Sequence, residues 1–152
     1  MKRWKVCVFF GLFFLQTILT AAQAEFLPNL TTEDLPRVRL RAGEDVAVNL
    51  ITELRDGAKI TTEAPTRFKV AVGQSGTKAE DEVKINAAHT TIVLPLPSEP
   101  GQSFIKATAV LYYCKSGNTS LCYLKSVIFN QPLELVAAGA GPNQINLNVV
   151  LQ

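Results

Sequence analysis

The sequence predicts an all-β fold, an antiparallel β-sandwich of about seven strands. Short apolar or alternating runs recur along the chain, and turn-forming residues separate them. No window of about 12 residues carries the apolar stripe, repeating roughly every 3.6 residues, that a surface helix needs. Together these two features favour packed sheets over a layered fold of helices and strands.

The amino-terminal pattern predicts export. Three basic residues within positions 2–5 precede an apolar run over residues 6–15, and residues 22–24 read Ala-Gln-Ala. We therefore expect a cleaved signal peptide at residues 1–24 and a single domain at residues 25–152. Because the apolar run is shorter than the ~20 residues of a spanning helix, we expect a soluble mature chain with no membrane insertion, in the periplasm or secreted.

The charge of the mature chain limits its partners. The signal carries three of the 15 basic residues and none of the 13 acidic ones, so the mature net charge is −1. This balance excludes nucleic acid and anionic membranes as expected partners. Loss of Cys7 leaves Cys114 and Cys122, and a chain of this size does not need a disulfide in order to fold.

The strands follow an irregular lead-in, predicted at residues 25–37 from its two prolines and lack of a period. Six runs then have strand character: 45–52, 67–72, 90–96, 103–114, 122–136 and 145–151. Turn residues separate them at 56–57, 73–76, 97–101, 116–118 and 139–142. Pro95 and Pro97 place the end of one run at a sheet edge or corner, because proline cannot donate to a ladder. Six or seven strands at this spacing are typical of an immunoglobulin-like sandwich.

The stretch YYCKSGNTSLCYLK, residues 112–125, holds both remaining cysteines. A hairpin turn centred on Asn118 sets Cys114 opposite Cys122, and opposed residues have Cα atoms about 4.5–5.5 Å apart, which a disulfide accepts. The same register predicts two further opposed pairs: Tyr113 with Tyr123, and Val110 with Ser126. Alternation predicts one shared face for five side chains: Ile105, Ala107, Ala109, Leu111 and Tyr113.

Two interpretations of this bridge remain open. As a staple, it closes about nine residues and removes about 2.5 kcal/mol of unfolded-chain entropy. As a reversible dithiol, it exchanges electrons with a partner through a mixed disulfide. The second interpretation is favoured by the hairpin-end position, by the polar intervening loop, and by Lys115 and Lys125, whose charges favour a nearby thiolate.

The rest of the chain offers little candidate chemistry. Tyr112, Tyr113 and Tyr123 cluster at the hairpin end, where they pack across the strands or, where exposed, form a contact surface for a partner. His89 is the single histidine, so we interpret it as a surface residue and expect no metal site. Residues 79–84, AEDEVK, are interpreted as a solvated acidic turn rather than a calcium site. We expect no cofactor.

The residues around the cysteine pair resemble a known family. Residues 92–135, from IVLPLP to QPLEL, are similar to the last third of the N-terminal periplasmic domain of the thiol:disulfide interchange protein DsbD, an immunoglobulin-like module with a strand-loop-strand cysteine pair. There, too, the second cysteine is followed by Tyr and then by Pro-Leu, as at Pro132-Leu133 here. LYYC and QPL also resemble the C-terminal β-domain of NHL-repeat proteins that carry a thioredoxin-like domain, and DGAKITTEAP at 56–65 resembles a segment in both families.

The DsbD resemblance implies redox roles for the two cysteines. In that family the pair takes electrons from a membrane-embedded domain and passes them to thioredoxin-fold proteins. Cys122 would form the mixed disulfide and Cys114 would resolve it. The loop between the cysteines is longer here, residues 73–89 hold no counterpart of the family's aromatic cap, and Ala58 and Ile60 stand where the family has tyrosines.

The expected function is therefore that of a thiol:disulfide oxidoreductase component. Its expected partner is a thioredoxin-fold protein or a membrane electron-transfer protein. The alternative is a non-catalytic binding or accessory module in which the hairpin disulfide is structural.

Overall fold

The structure is a computed structural model that describes residues 30–61, 63–74, 77–115, 121–137 and 142–152. The predicted signal peptide lies outside the described residues. Those residues form ten strands and no helix: β1 (Leu30–Asp34), β2 (Val38–Arg41), β3 (Asp45–Leu54), β4 (Ala58–Ile60), β5 (Arg67–Gln74), β6 (Thr77–Lys84), β7 (His89–Pro95), β8 (Gly101–Lys115), β9 (Leu121–Val136) and β10 (Gln144–Leu151). Within these ranges there is accordingly no helical segment of the length and hydropathy that membrane crossing requires.

The strands form two sheets. The larger has the order β1-β9-β8-β5-β6, with β2 also paired to β9 and β4 to β8, and the smaller has the order β10-β3-β7. The β8–β9, β5–β8 and β3–β7 pairs are antiparallel. By contrast, β1 and β2 pair with β9, and β10 pairs with β3, in parallel. The predicted all-β sandwich is confirmed, with ten strands and mixed sheets in the described residues in place of about seven antiparallel strands.

The core lies between the two sheets. One cluster of buried side chains includes Phe68 of β5 and Phe129 of β9 from the larger sheet and Leu50 of β3 and Leu147 of β10 from the smaller one. The five β8 side chains that alternation placed on one face are all buried, so that prediction is confirmed. The period-two pattern therefore determines which face of each long strand enters the core.

The structure has two strands that the pattern did not predict: β1 lies within the lead-in predicted as irregular at residues 25–37, and β2 begins directly after it. The pairing of β1 with β9 ends at Asp34–Asn130, and the pairing of β2 with β9 begins at Val38–Leu133. Pro132 of β9 lies opposite this break. Because no residue of β1 or β2 pairs with it, its missing N–H costs no hydrogen bond to either strand. The side-chain amide of Gln131 donates there to the carbonyl oxygen of Pro36. Two prolines thus occupy the one interruption of an otherwise continuous ladder.

The interpretation of residues 79–84 as a turn is wrong, because they belong to the edge strand β6, which pairs with β5. Charged side chains are typical of protected sheet edges. The ammonium group of Lys78 bonds to the Glu80 carboxylate, and Lys69 lies 3.5 Å from it. The Lys78 bond, followed by the charges of Lys69 and Lys78, lowers the pKa of the Glu80 carboxyl. The acidic run therefore protects a sheet edge.

Candidate functional site

The site is the end of the β8–β9 hairpin. Cys114 pairs with Cys122, Tyr113 with Tyr123, and Val110 with Ser126, so the predicted register is confirmed. The two cysteines form a disulfide with a Cα–Cα distance of 4.0 Å. This separation is nearer to the ~4.5 Å of a non-hydrogen-bonded antiparallel pair than to the ~5.5 Å of a hydrogen-bonded one. The bridge thus spans two directly opposed residues.

The bridge lies on the outer face of the larger sheet. Tyr113, one residue before Cys114, points into the core with 8% of its surface exposed, so alternation turns Cys114 away from the core. Cys114 is half-buried and Cys122 is exposed. A molecule approaching this face from solvent therefore meets Cys122 more readily than Cys114.

The three tyrosines occupy different environments. Tyr113 is buried, and its hydroxyl donates to the carbonyl oxygen of Gln152 at 3.2 Å. Its ring stacks on that of Tyr123 with the centroids 5.4 Å apart. Tyr123 is 40% exposed, and Tyr112 is half-buried on the face of the bridge. A partner can therefore contact Tyr123 and Tyr112, whereas Tyr113 is a packing residue.

The two lysines expected to act on the cysteines point away from them. Lys115 and Lys125 belong to the same alternation as Tyr113, on the opposite face from the bridge. The Lys115 ammonium lies 5.6 Å from the centroid of the Tyr123 ring. The Lys125 ammonium donates to the carbonyl oxygen of Val150 at 2.9 Å. The assignment of these two charges to the cysteines was wrong because it used distance along the chain and ignored the alternation.

A different lysine lies beside the bridge. The register of β4 with β8 sets Lys59 opposite Cys114, on the same face. Lys59 is exposed, and its neighbours Ala58 and Ile60 turn inward. Ala58 is 5% exposed, so it faces the core. Alternation alone could have shown that Ala58 and Lys59 point in opposite directions.

The Asp56-Gly57 turn carries the chain from the smaller sheet to the larger one and so positions β4. Both residues have positive φ, 51° and 73°, and the N–H of Ala58 donates to the carbonyl of Arg55 at 2.9 Å. Two central residues with positive φ define a type I′ turn, for which Asp-Gly is a favoured sequence. The predicted turn at 56–57 is confirmed, and its geometry places β4 at the edge of the hairpin.

The chain has recognisable relatives at low identity. It is similar to NHL repeat-containing protein 2 of Homo sapiens, with 28% identity over 127 residues that cover 76% of this chain and 17% of that protein. It is also similar to NHL repeat-containing protein 2 of Gallus gallus, with 27% identity over 122 residues that cover 75% and 16% of the two chains. No protein-family model matches. The predicted likeness to NHL-repeat proteins is confirmed at this level, and the chain spans about one sixth of the length of these relatives.

The arrangement is suited to sulfur chemistry. An exposed disulfide sulfur can be attacked by a thiolate, and the other sulfur of the bridge then leaves. His89 is exposed on β7, in the smaller sheet. Among the described residues, no three His, Cys, Asp or Glu side chains gather closely enough to hold a metal ion. The hairpin end therefore carries the most specific chemistry in the described part of the chain.

Proposed function

We propose that the protein is a thiol:disulfide exchange module that works through Cys114 and Cys122. The observation that carries this proposal is the position of the bridge, on the outer face of the larger sheet with Cys122 exposed. A bridge that serves packing alone has no need of an accessible sulfur. Exchange requires one, because the attacking thiolate approaches along the S–S axis.

The different roles of the two cysteines follow from their different exposure. A partner thiolate attacks Cys122, and Cys114, half-buried beside it, is the leaving group that later resolves the mixed disulfide. The resemblance to the N-terminal domain of DsbD supports the same assignment. The partner is a thioredoxin-fold protein or a membrane electron-transfer protein, and Tyr112, on the face of the bridge, provides apolar surface for its docking.

The proposal includes export. A periplasmic or secreted chain meets an oxidising environment in which a cysteine pair forms a disulfide. The basic and apolar pattern of residues 1–24 supports this localisation.

A second candidate function follows from the relatives. The chain spans only about one sixth of each NHL repeat-containing protein, as an accessory domain of a larger assembly would. On this alternative the sandwich is a non-catalytic binding module and the disulfide is a staple.

The reduction potential of the bridge distinguishes the two functions. We expect a value within the range of thioredoxin-fold proteins, about −120 to −270 mV, whereas structural disulfides typically lie below about −300 mV. The measurement equilibrates the protein in dithiothreitol buffers, alkylates the free thiols and reads the mass. A value below about −300 mV would contradict the exchange function and favour the staple.

Trapping identifies the attacked sulfur. In a Cys114→Ala variant, the free Cys122 should form a stable mixed disulfide with a thioredoxin-fold protein that lacks its resolving cysteine and whose remaining cysteine carries thionitrobenzoate, because the Cys122 thiolate displaces thionitrobenzoate as the leaving thiol. The matched Cys122→Ala variant should form far less, because Cys114 is half-buried. Equal trapping by both variants would contradict the assignment of roles.

A further inference from the structure

We propose that Lys59 is a positioning residue for the bridge: its ammonium group stabilises the Cys114 thiolate that is released when Cys122 is attacked. The inference rests on the exchange function proposed above and adds to it a charged group that favours attack at Cys122 over attack at Cys114. It comes from the pairing of β4 with β8, which brings together residues 55 positions apart in the sequence.

The geometry favours Cys114 over Cys122. Lys59 and Cys114 are direct partners across an antiparallel pair, for which Cβ atoms lie about 4.5–5.5 Å apart. Cys122 belongs to the next strand along, so it is about 4.8 Å further from Lys59 across the sheet. The flexible stem of an exposed lysine can bring its charge over the nearer sulfur.

The other charges around Cys114 leave Lys59 as its main electrostatic neighbour. Within two residues of the bridge on β4, β8 and β9, the described ionisable side chains on its face are Lys59 and Tyr112. Lys115, Tyr123 and Lys125 lie on the opposite face. The turn before β4 carries Arg55 and Asp56, and Arg55 is paired with Glu53 at 2.8 Å.

The exchange step gives this charge a function. A partner thiolate attacks Sγ of Cys122, a new S–S bond forms to that sulfur, and the Cys114–Cys122 bond breaks with its electron pair on Sγ of Cys114. A second partner thiol then displaces Cys122, so the bridge gains two electrons and the partner dithiol becomes a disulfide. Because a leaving group of lower pKa departs faster, a cation beside Cys114 accelerates attack at Cys122 in preference to attack at Cys114.

The first test measures the two thiol pKa values in the reduced protein. Alkylation by neutral iodoacetamide is followed against pH, and each cysteine is resolved by peptide mass. In Lys59→Gln, we expect the pKa of Cys114 to rise by about half a unit to one unit, with a smaller change for Cys122, since a partly screened charge at this distance has an effect of that size. Lys59→Arg should restore the lower value.

Lys115→Gln is the matched control, because it removes a lysine adjacent to Cys114 in the chain but on the opposite face. Its Cys114 pKa should equal that of the unmodified protein. An unchanged Cys114 pKa in Lys59→Gln, or an equal rise in Lys115→Gln, would overturn the proposal. Circular dichroism of the oxidised variants checks that each is folded, as expected for the exposed Lys59.

The second test measures the rate at which dithiothreitol, which attacks as its thiolate, opens the bridge. In Lys59→Gln the rate at fixed pH should fall about twofold to fourfold, and high salt should reduce the difference between the proteins. An equal rate would overturn the proposal. Neither test needs a protein partner, so the two proposals can fail separately. If both Lys59 effects are seen but the protein does not exchange with thioredoxin-fold proteins, the proposed function is refuted and the role of Lys59 stands. If the protein exchanges but the Lys59 effects are absent, the role of Lys59 is refuted and the proposed function stands.

Discussion

Two buried threonines show how single hydroxyl groups affect the stability of this sandwich. Thr66 is 2% exposed, and its hydroxyl donates to the carbonyl oxygen of Ile85. Thr52 is 4% exposed, and its hydroxyl oxygen has no hydrogen-bond partner among the described atoms. A buried polar group without a partner opposes folding, whereas a satisfied one contributes modestly to it.

Replacement by valine should therefore have opposite effects at the two positions. Thr66→Val leaves the Ile85 carbonyl without its donor and should lower the free energy of unfolding by about 1–3 kcal/mol. Thr52→Val removes an unsatisfied hydroxyl at nearly constant shape and should leave that free energy unchanged or raise it by up to about 1 kcal/mol. Urea denaturation of the two variants measures both values. Equal losses would show that the Thr52 hydroxyl is satisfied in solution.

Asn143 joins edge elements of the two sheets. Its side-chain oxygen accepts from the N–H of Arg41 at 2.9 Å, and its side-chain nitrogen donates to the Arg41 carbonyl at 3.0 Å. Its own carbonyl accepts from the N–H of Ala47 on β3 at 3.0 Å. A single amide side chain thus pairs with the end of β2 as a neighbouring strand would, while its backbone belongs to the smaller sheet.

Asn143→Ala should lower the free energy of unfolding by about 2–3 kcal/mol, because two hydrogen bonds are lost and the Arg41 backbone groups lose their partner. Asn143→Asp keeps the acceptor but sets a carboxylate oxygen against the Arg41 carbonyl oxygen, so its loss should be at least as large as that of Asn143→Ala. Asn146→Ala is the control, since Asn146 is an exposed asparagine of β10 that bonds to Asn49 at 2.9 Å; we expect a loss below about 0.5 kcal/mol. Similar losses at the two asparagines would mean that the amide bridge contributes little to joining the sheets.

At the scale of the whole molecule, the parts that could be predicted from the sequence are those governed by local rules. Alternation and a short turn were enough to predict the β8–β9 register and its buried face. The short strands β1, β2 and β4 were missed because their pairing depends on β8 and β9, which lie far away in the chain. They are also short, with 5, 4 and 3 residues, so a period of two is hard to recognise within them.

The candidate site also has features that local rules predict and features that depend on contacts distant in the sequence. The opposition of Cys114 and Cys122 follows from the hairpin and was predicted. Alternation also predicts that the bridge points outward and that Lys115 points inward. The position of Lys59 opposite Cys114 could not be predicted, because it depends on the pairing of β4 with β8, which is distant in the sequence.

The protein should remain folded when the disulfide is absent. Any reversible role of the cysteines requires this, because the reduced form must keep the fold. The core cluster lies between the sheets, whereas the disulfide lies on the outer face at one hairpin end. Closing about nine residues stabilises a chain by about 2.5 kcal/mol in the loop model, less than the roughly 5–15 kcal/mol of a typical domain. The double variant Cys114→Ala, Cys122→Ala should therefore remain folded, with a free energy of unfolding lower by about 2.5 kcal/mol or less.

Circular dichroism and urea denaturation of that variant, beside the reduced unmodified protein, provide the measurement. The two should unfold at similar urea concentrations, because both lack the covalent loop and keep the core. If either is unfolded without denaturant, each reduction of the bridge would dismantle the surface that a partner must recognise, and the cysteines would then have to be structural. If both are folded, the hairpin can be oxidised and reduced on a rigid support, as electron transfer between proteins requires.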